Sequence, residues 1–230
     1  LVFALILTVV SFRSPAFTSH CPANVVVLEE EGVREVPGLG VELVAAPWST
    51  KSPLEDLAAR ACAALPRDDR VLRVLVAHGG VDALAPDPGD PSLIRLAAVE
   101  EAVRSGVVQY VALGDRHSVT GVGATGRIWY AGSPLATDYV DTDPNHVLLV
   151  ELEPGAINVS RRRTGSWAFL RRDFDVNHRS DVEAVGDWLS AVADKRSTVV
   201  KLSFVGTLNL ADKARLDKIL EHHADLFAAL

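Results

Sequence analysis

Two histidines and an aspartate carry the clearest chemical signal in this chain: His78, Asp115 and His117. Each histidine stands one to four residues past an apolar run, Val71–Ala77 (VLRVLVA) or Val107–Leu113 (VVQYVAL). Neutral imidazoles grouped with a carboxylate suit Mn, Fe, Zn or Ni. On an extended segment residues i and i+2 point the same way, so Asp115 and His117 are expected to face one pocket. The alternative is that both histidines are strand-end residues hydrogen-bonded to backbone. Spacing alone leaves both readings open.

The two runs read as strands covered on both faces, because they are apolar almost without interruption. Between them Ser92–Arg104 carries apolar residues at helical spacing, with Gly106 as its C-cap. Strand, helix and strand make a βαβ unit, which brings the polar residues after each strand to one carboxyl edge of a sheet. Upstream, Val25–Leu28 and Val41–Ala45 read as strands. Ser52-Pro53-Leu54-Glu55 reads as a capping box that opens a helix running to Leu65, where Pro66 stops it. Downstream, Arg127–Tyr130, His146–Leu152, Ile157–Ser160 and Thr198–Phe204 read as strands. Asp181–Ala193 and Leu210–Leu230 read as helices. A domain boundary is expected near Glu153–Gly155, giving residues 13–153 as one domain and 154–230 as a smaller one.

Composition narrows the function classes. The chain has 230 residues, 48% of them apolar, enough for one sizeable core and a second smaller one. A net charge of −7 argues against an overall cationic face that grips nucleic acid by counterion release. A nucleic-acid partner would need a local patch or metal ions. Cys21 and Cys62 share no metal-ligand or disulfide spacing, which suits a reducing, cytoplasmic setting. Residues 1–12 (LVFALILTVVSF) are apolar but too short to cross a bilayer, and no basic segment precedes them. They read as a buried strand or as foreign to the domain, and the second is favoured.

At the level of motifs, Tyr110-Val-Ala-Leu-Gly-Asp-Arg-His117 resembles the YxALGHxH segment of the calcineurin-like metallophosphoesterases of the SbcD-type DNA-repair exonuclease family. Tyr130-Ala-Gly-Ser-Pro134 resembles the YxGSP segment that follows it there. Val76-Ala-His-Gly79 resembles the family's earlier single-histidine motif, and Val147-Leu-Leu-Val-Glu151 the strand that closes the domain. Order and spacing agree from about Arg13 onward. The resemblance implies an α/β sandwich of two β-sheets flanked by helices, incomplete at its N-terminus, followed by a small α/β cap domain that contacts DNA. It implies phosphodiester hydrolysis on DNA with two divalent metal ions, Mn²⁺ foremost. His78 would ligate one ion and His117 the other, with Asp115 where the family has the first His of GHxH. Arg116, Ser133, Arg161 and Arg162 are the candidate substrate-binding residues, although Ser133 also suits a plain turn. The implied partners are an SMC-type coiled-coil ATPase and a second copy of the chain. Three family motifs (Asp-x-His, GDxxD-like and GNHD-like) are not found before Arg13, so catalysis by this chain alone is expected to be impaired. The rival functions are a phosphodiesterase or nucleotidase on small substrates, and a non-catalytic binding module.

Other signals weigh less. Gly121-Val-Gly-Ala-Thr-Gly126 fits GxGxxG but is expected to be a loop between strands, with no helix to receive a pyrophosphate. Arg161–Arg163, Arg171 and Arg172 read first as a solvated strand face. His222 and His223 fall on a helix, where a metal role is not expected.

Overall fold

The computed structural model describes residues 14–22, 25–48, 50 and 52–230. The segment 1–12, and with it the reading of that segment, lies outside the described residues. In chain order the elements are α1 (Pro15–Thr18), β1 (Gly32–Val36), β2 (Val41–Ala46), α2 (Leu57–Ala63), β3 (Leu72–His78), α3 (Leu96–Arg104), β4 (Tyr110–Gly114), β5 (Thr120–Gly121) and β6 (Ile128–Tyr130). They continue as β7 (His146–Glu153), β8 (Ala156–Arg163), β9 (Ala168–Asp175), α4 (Arg179–Ala191), β10 (Thr198–Val205) and α5 (Leu210–Ala224). The fold is mixed α/β.

Two compact units divide the chain. The first runs to Ser133 and takes in His146–Arg163, and the second comprises Pro134–Asn145 with Thr164–Leu230. Pro154 and Gly155, at the expected domain boundary, form the two-residue turn of the β7–β8 hairpin, since Glu153 pairs with Ala156. The hairpin belongs whole to the first unit.

Its sheet has the order β1-β2-β3-β4-β6-β5. β2, β3, β4 and β6 run parallel, while β1 and β5 are antiparallel edges. Alternate residues of these strands feed two different cores, as the two-residue period requires. Val44, Leu75, Ala77, Val111, Leu113 and Ile128 face α2 and α3. Leu43, Val74, Val76, Tyr110 and Trp129 face the β7–β8 hairpin, which contributes Val150, Leu152, Ile157 and Val159. That double covering explains why the parallel strands are mostly apolar, with Arg73 of β3 and Glu42 of β2 joined as an ion pair at 2.7 Å. β7 instead alternates half-buried and exposed residues, because only one of its faces is packed.

The start of α2 is set by a carboxylate rather than by the expected capping box. Asp56 accepts from Ala59 N at 2.9 Å through Oδ1 and from Arg95 N at 2.7 Å through Oδ2, so one side chain caps α2 and holds the entry to α3. Ser52–Glu55 stays outside the helix, with Leu54 fully in solvent. Val25–Leu28 forms no strand either: Val25 and Val26 are exposed, and the antiparallel partner of β2 is β1.

The second unit pairs β9 and β10 in parallel and packs α4 and α5 around Val182, Val185, Leu189, Val200 and Leu216. The sequence puts Arg171 and Arg172 on a solvated strand face but gives β9 no bounds, because Arg171, Arg172 and Asp173 interrupt its apolar pattern. Leu170 and Phe174 nonetheless pack inward. α5 ends at Ala224 instead of running to Leu230. The chain then turns, buries Phe227 and pairs with β10, with Val200 N donating to Ala229 O at 2.9 Å. No helix among the described residues is long and apolar enough to cross a membrane.

Candidate functional site

Because β2, β3, β4 and β6 are parallel, their carboxyl ends lie at one edge of the sheet, and four notable side chains stand there. Trp48 lies two residues past β2, His78 is the last residue of β3, Asp115 directly follows β4, and Tyr130 is the last residue of β6. In the ladder His78 is opposite Gly114 and Leu113 is opposite Tyr130. The arrangement is the one in which open α/β sheets gather polar groups.

His78 and Asp115 meet there, with Nε2 3.6 Å from Oδ1. The His78 side chain is mostly enclosed, whereas the Asp115 side chain is half in solvent. Burial pulls the His78 imidazole below the ordinary histidine pKa, and the nearby Asp115 carboxylate opposes that shift. Nδ1 of His78 is buried and has no hydrogen-bond partner among the described residues. Trp48 makes a T-shaped contact with the imidazole, with ring centroids 5.1 Å apart. Asp115 has φ +108°, a region costly for a residue with a Cβ and populated where surrounding structure imposes it. The positive φ removes the extended geometry on which the shared direction of Asp115 and His117 was expected.

Tyr130 fastens the turn after His78. Its buried hydroxyl donates to Gly79 O at 2.7 Å, and burial raises its phenol pKa. Gly79 itself has φ +123°, and a Cβ there would come within 2.6 Å of the Trp48 indole. Gly132 plays a parallel part in the YxGSP turn: its φ is +76°, and a Cβ would approach Val119 N to 2.9 Å. Ser133 N donates to His117 O at 2.8 Å, so Ser133 and His117 are joined through backbone. The His117 side chain is exposed. Arg116 is exposed as well and donates from Nε to Thr120 Oγ1 at 3.1 Å. Arg161 and Arg162 lie exposed on β8, opposite Leu148 and Val147 of β7.

The donor chemistry of His78 and Asp115 fits one divalent ion, since a nitrogen and an oxygen at this separation can both ligate at about 2.0–2.2 Å. A fuller centre is not assembled: among the described residues no group of three or more His, Cys, Asp or Glu is placed to hold a metal. Two-metal hydrolysis needs a pair of ions held about 3.5–4 Å apart, which two donors do not provide.

Trp48 and Tyr130 were not among the candidate site residues. For Trp48 the available signal was its place just beyond an apolar strand next to Pro47. For Tyr130 it was a polar hydroxyl ending an apolar strand whose neighbour leads to Asp115. Compared with known proteins, the sequence matches no family model and no curated relative.

Proposed function

We propose that this chain contributes to metal-dependent hydrolysis of phosphodiester bonds in DNA, as part of a calcineurin-like metallophosphoesterase of the repair-exonuclease type. The observation that carries the reading is the meeting of His78 and Asp115 at the carboxyl edge of the parallel sheet. The YxALGDxH and YxGSP segments supply both loops around it. The sandwich reading draws support from the β7–β8 hairpin, which covers one sheet face while α2 and α3 cover the other.

His78 and Asp115 would hold a divalent ion, with Mn²⁺ the first choice and His117 the candidate for a second ion. Such an ion, when bound, lowers the pKa of water and stabilises charge on phosphate oxygens. The chain's own residues orient the site: Tyr130 holds the Gly79 carbonyl, and the strained Asp115 keeps its carboxylate on His78. The partner roles remain those implied by the motifs: an SMC-type ATPase, a second copy of the chain and a cytoplasmic setting. Arg116, Ser133, Arg161 and Arg162 are the proposed DNA contacts.

The test compares hydrolysis of single- and double-stranded DNA with that of a small nucleotide diester, with Mn²⁺ and with chelator. The reading predicts slow, Mn²⁺-dependent cutting of DNA that His78→Ala and Asp115→Asn abolish. Preference for the small diester would move the function to a nucleotidase. Activity untouched by either substitution would end the assignment. A second reading, a DNA-binding module without catalysis, is favoured by the want of a third donor among the described residues. It predicts DNA binding with no turnover.

A further inference from the structure

Metal-binding histidines are ordinarily held by a hydrogen bond from the second ring nitrogen to a carboxylate or carbonyl, which fixes tautomer and ring orientation together. Nδ1 of His78 is buried and meets no such acceptor among the described residues. What the ring meets is the Trp48 indole, in a T-shaped contact with an interplanar angle of 78°. Trp48 comes this close because residue 79 has no side chain to occupy the space, and the Gly79 carbonyl is pinned by Tyr130.

We propose that Trp48 is the positioning residue of His78, doing by packing what a hydrogen bond on Nδ1 does elsewhere. The free protein then holds His78 as the tautomer with its hydrogen on Nε2, directed at Asp115. Two effects of the same sign set that tautomer. A buried N–H without an acceptor is rarer and costlier than a buried lone pair. On the other nitrogen, 3.6 Å from the Asp115 carboxylate, a hydrogen is attracted where a lone pair would be repelled.

The arrangement has a consequence for metal binding. An ion taking the Nε2 lone pair requires the hydrogen to leave Nε2 and a hydrogen to sit on Nδ1, with no net proton change. That hydrogen would be enclosed without an acceptor, so the site binds an ion on the order of ten- to a hundred-fold more weakly than one with a partnered Nδ1. This last consequence rests on the metal reading of the proposed function. The tautomer and the part played by Trp48 do not.

Long-range ¹H–¹⁵N correlation spectra of the metal-free, ¹⁵N-labelled chain, recorded above the histidine pKa, read the tautomer directly. The expected pattern is a single Nε2–H form for His78, with Overhauser contacts to the Trp48 indole. Trp48→Phe, which keeps an aromatic ring, should retain that pattern. Trp48→Leu should show averaged ring-nitrogen shifts. Val44→Ala, a core change in the same sheet, should lower stability without moving the His78 shifts. An Nδ1–H form in the unmodified chain, or His78 shifts unchanged in Trp48→Leu, overturns the proposal. If Trp48→Leu fails to fold, absence of indole–imidazole contacts in the unmodified chain overturns it equally. Addition of Mn²⁺ separates the two readings: the stated tautomer with no Mn²⁺ effect on His78 keeps the positioning role and removes the metal one.

Discussion

Both units are built on parallel strands, and both place polar residues where those strands end, yet the two edges are used differently. In the second unit the groups after β9 and β10 are spent on backbone. Asn177 accepts from Thr207 N at 3.1 Å, and one Asp181 carboxylate oxygen accepts from the amides of Asn177 and His178 at 2.9 and 2.8 Å. In the first unit the edge carries an imidazole nitrogen with no partner among the described residues, an aspartate at φ +108° and a tryptophan packed on the imidazole. Polar residues at strand ends therefore do not by themselves mark a site. What distinguishes the first edge is that an unpartnered imidazole nitrogen, a strained aspartate and a packed tryptophan fall together there.

Four experiments bear on that contrast, the largest expected effect first. Leu75 and Leu189 are both fully buried, one in each unit's core. Leu75→Ala and Leu189→Ala should each cost about 2–5 kcal/mol by chemical denaturation. If each unit depends on its own core, Leu189→Ala should leave the His78 and Trp48 resonances in place. Gly79→Ala should cost about 1–3 kcal/mol, because the residue has φ +123° and its Cβ would meet the Trp48 indole at 2.6 Å. The corresponding change on the other edge, Asp181→Ala, removes a helix cap and should cost about 0.5–2 kcal/mol, with no effect on any site signal.

The smallest effect concerns pH. His223 is buried on α5, with Nδ1 unpartnered among the described residues and Nε2 3.5 Å from Ser190 Oγ. Burial lowers its pKa, and the neighbouring His222 and Lys195 push the same way. The unfolded chain then binds more protons than the folded one below the ordinary histidine pKa of about 6.5. Stability from this residue is full above that pH and falls as the pH drops through it toward the lower folded value. His223→Gln should flatten that part of the stability–pH curve, and an unchanged curve would refute it.

The pattern of the first unit was legible because its strands are apolar almost without interruption, Arg73 being the exception in the run 71–77. The gathering of His78 and Asp115 followed from the βαβ order alone. The position of His117 did not follow, because its expected direction assumed extended backbone at Asp115, and a positive φ on a non-glycine residue has no sequence signature. Arg171 and Arg172 read as a strand face, but the bounds of β9 did not follow, because its arginines sit between the apolar residues that fix its inward face. The turn after α5 escaped notice because Leu226 and Phe227 continue a helical spacing that tertiary packing overrides.

The function proposed for this chain depends most on His78 and Asp115 acting as one ligand pair. Titrating Mn²⁺ into the labelled chain and following paramagnetic broadening of histidine ring signals tests this directly. His78 should broaden at the lowest Mn²⁺, ahead of His20, His146, His178, His222 and His223, and Asp115→Asn should erase that preference. Broadening that begins elsewhere, or that ignores the Asp115 substitution, would contradict it.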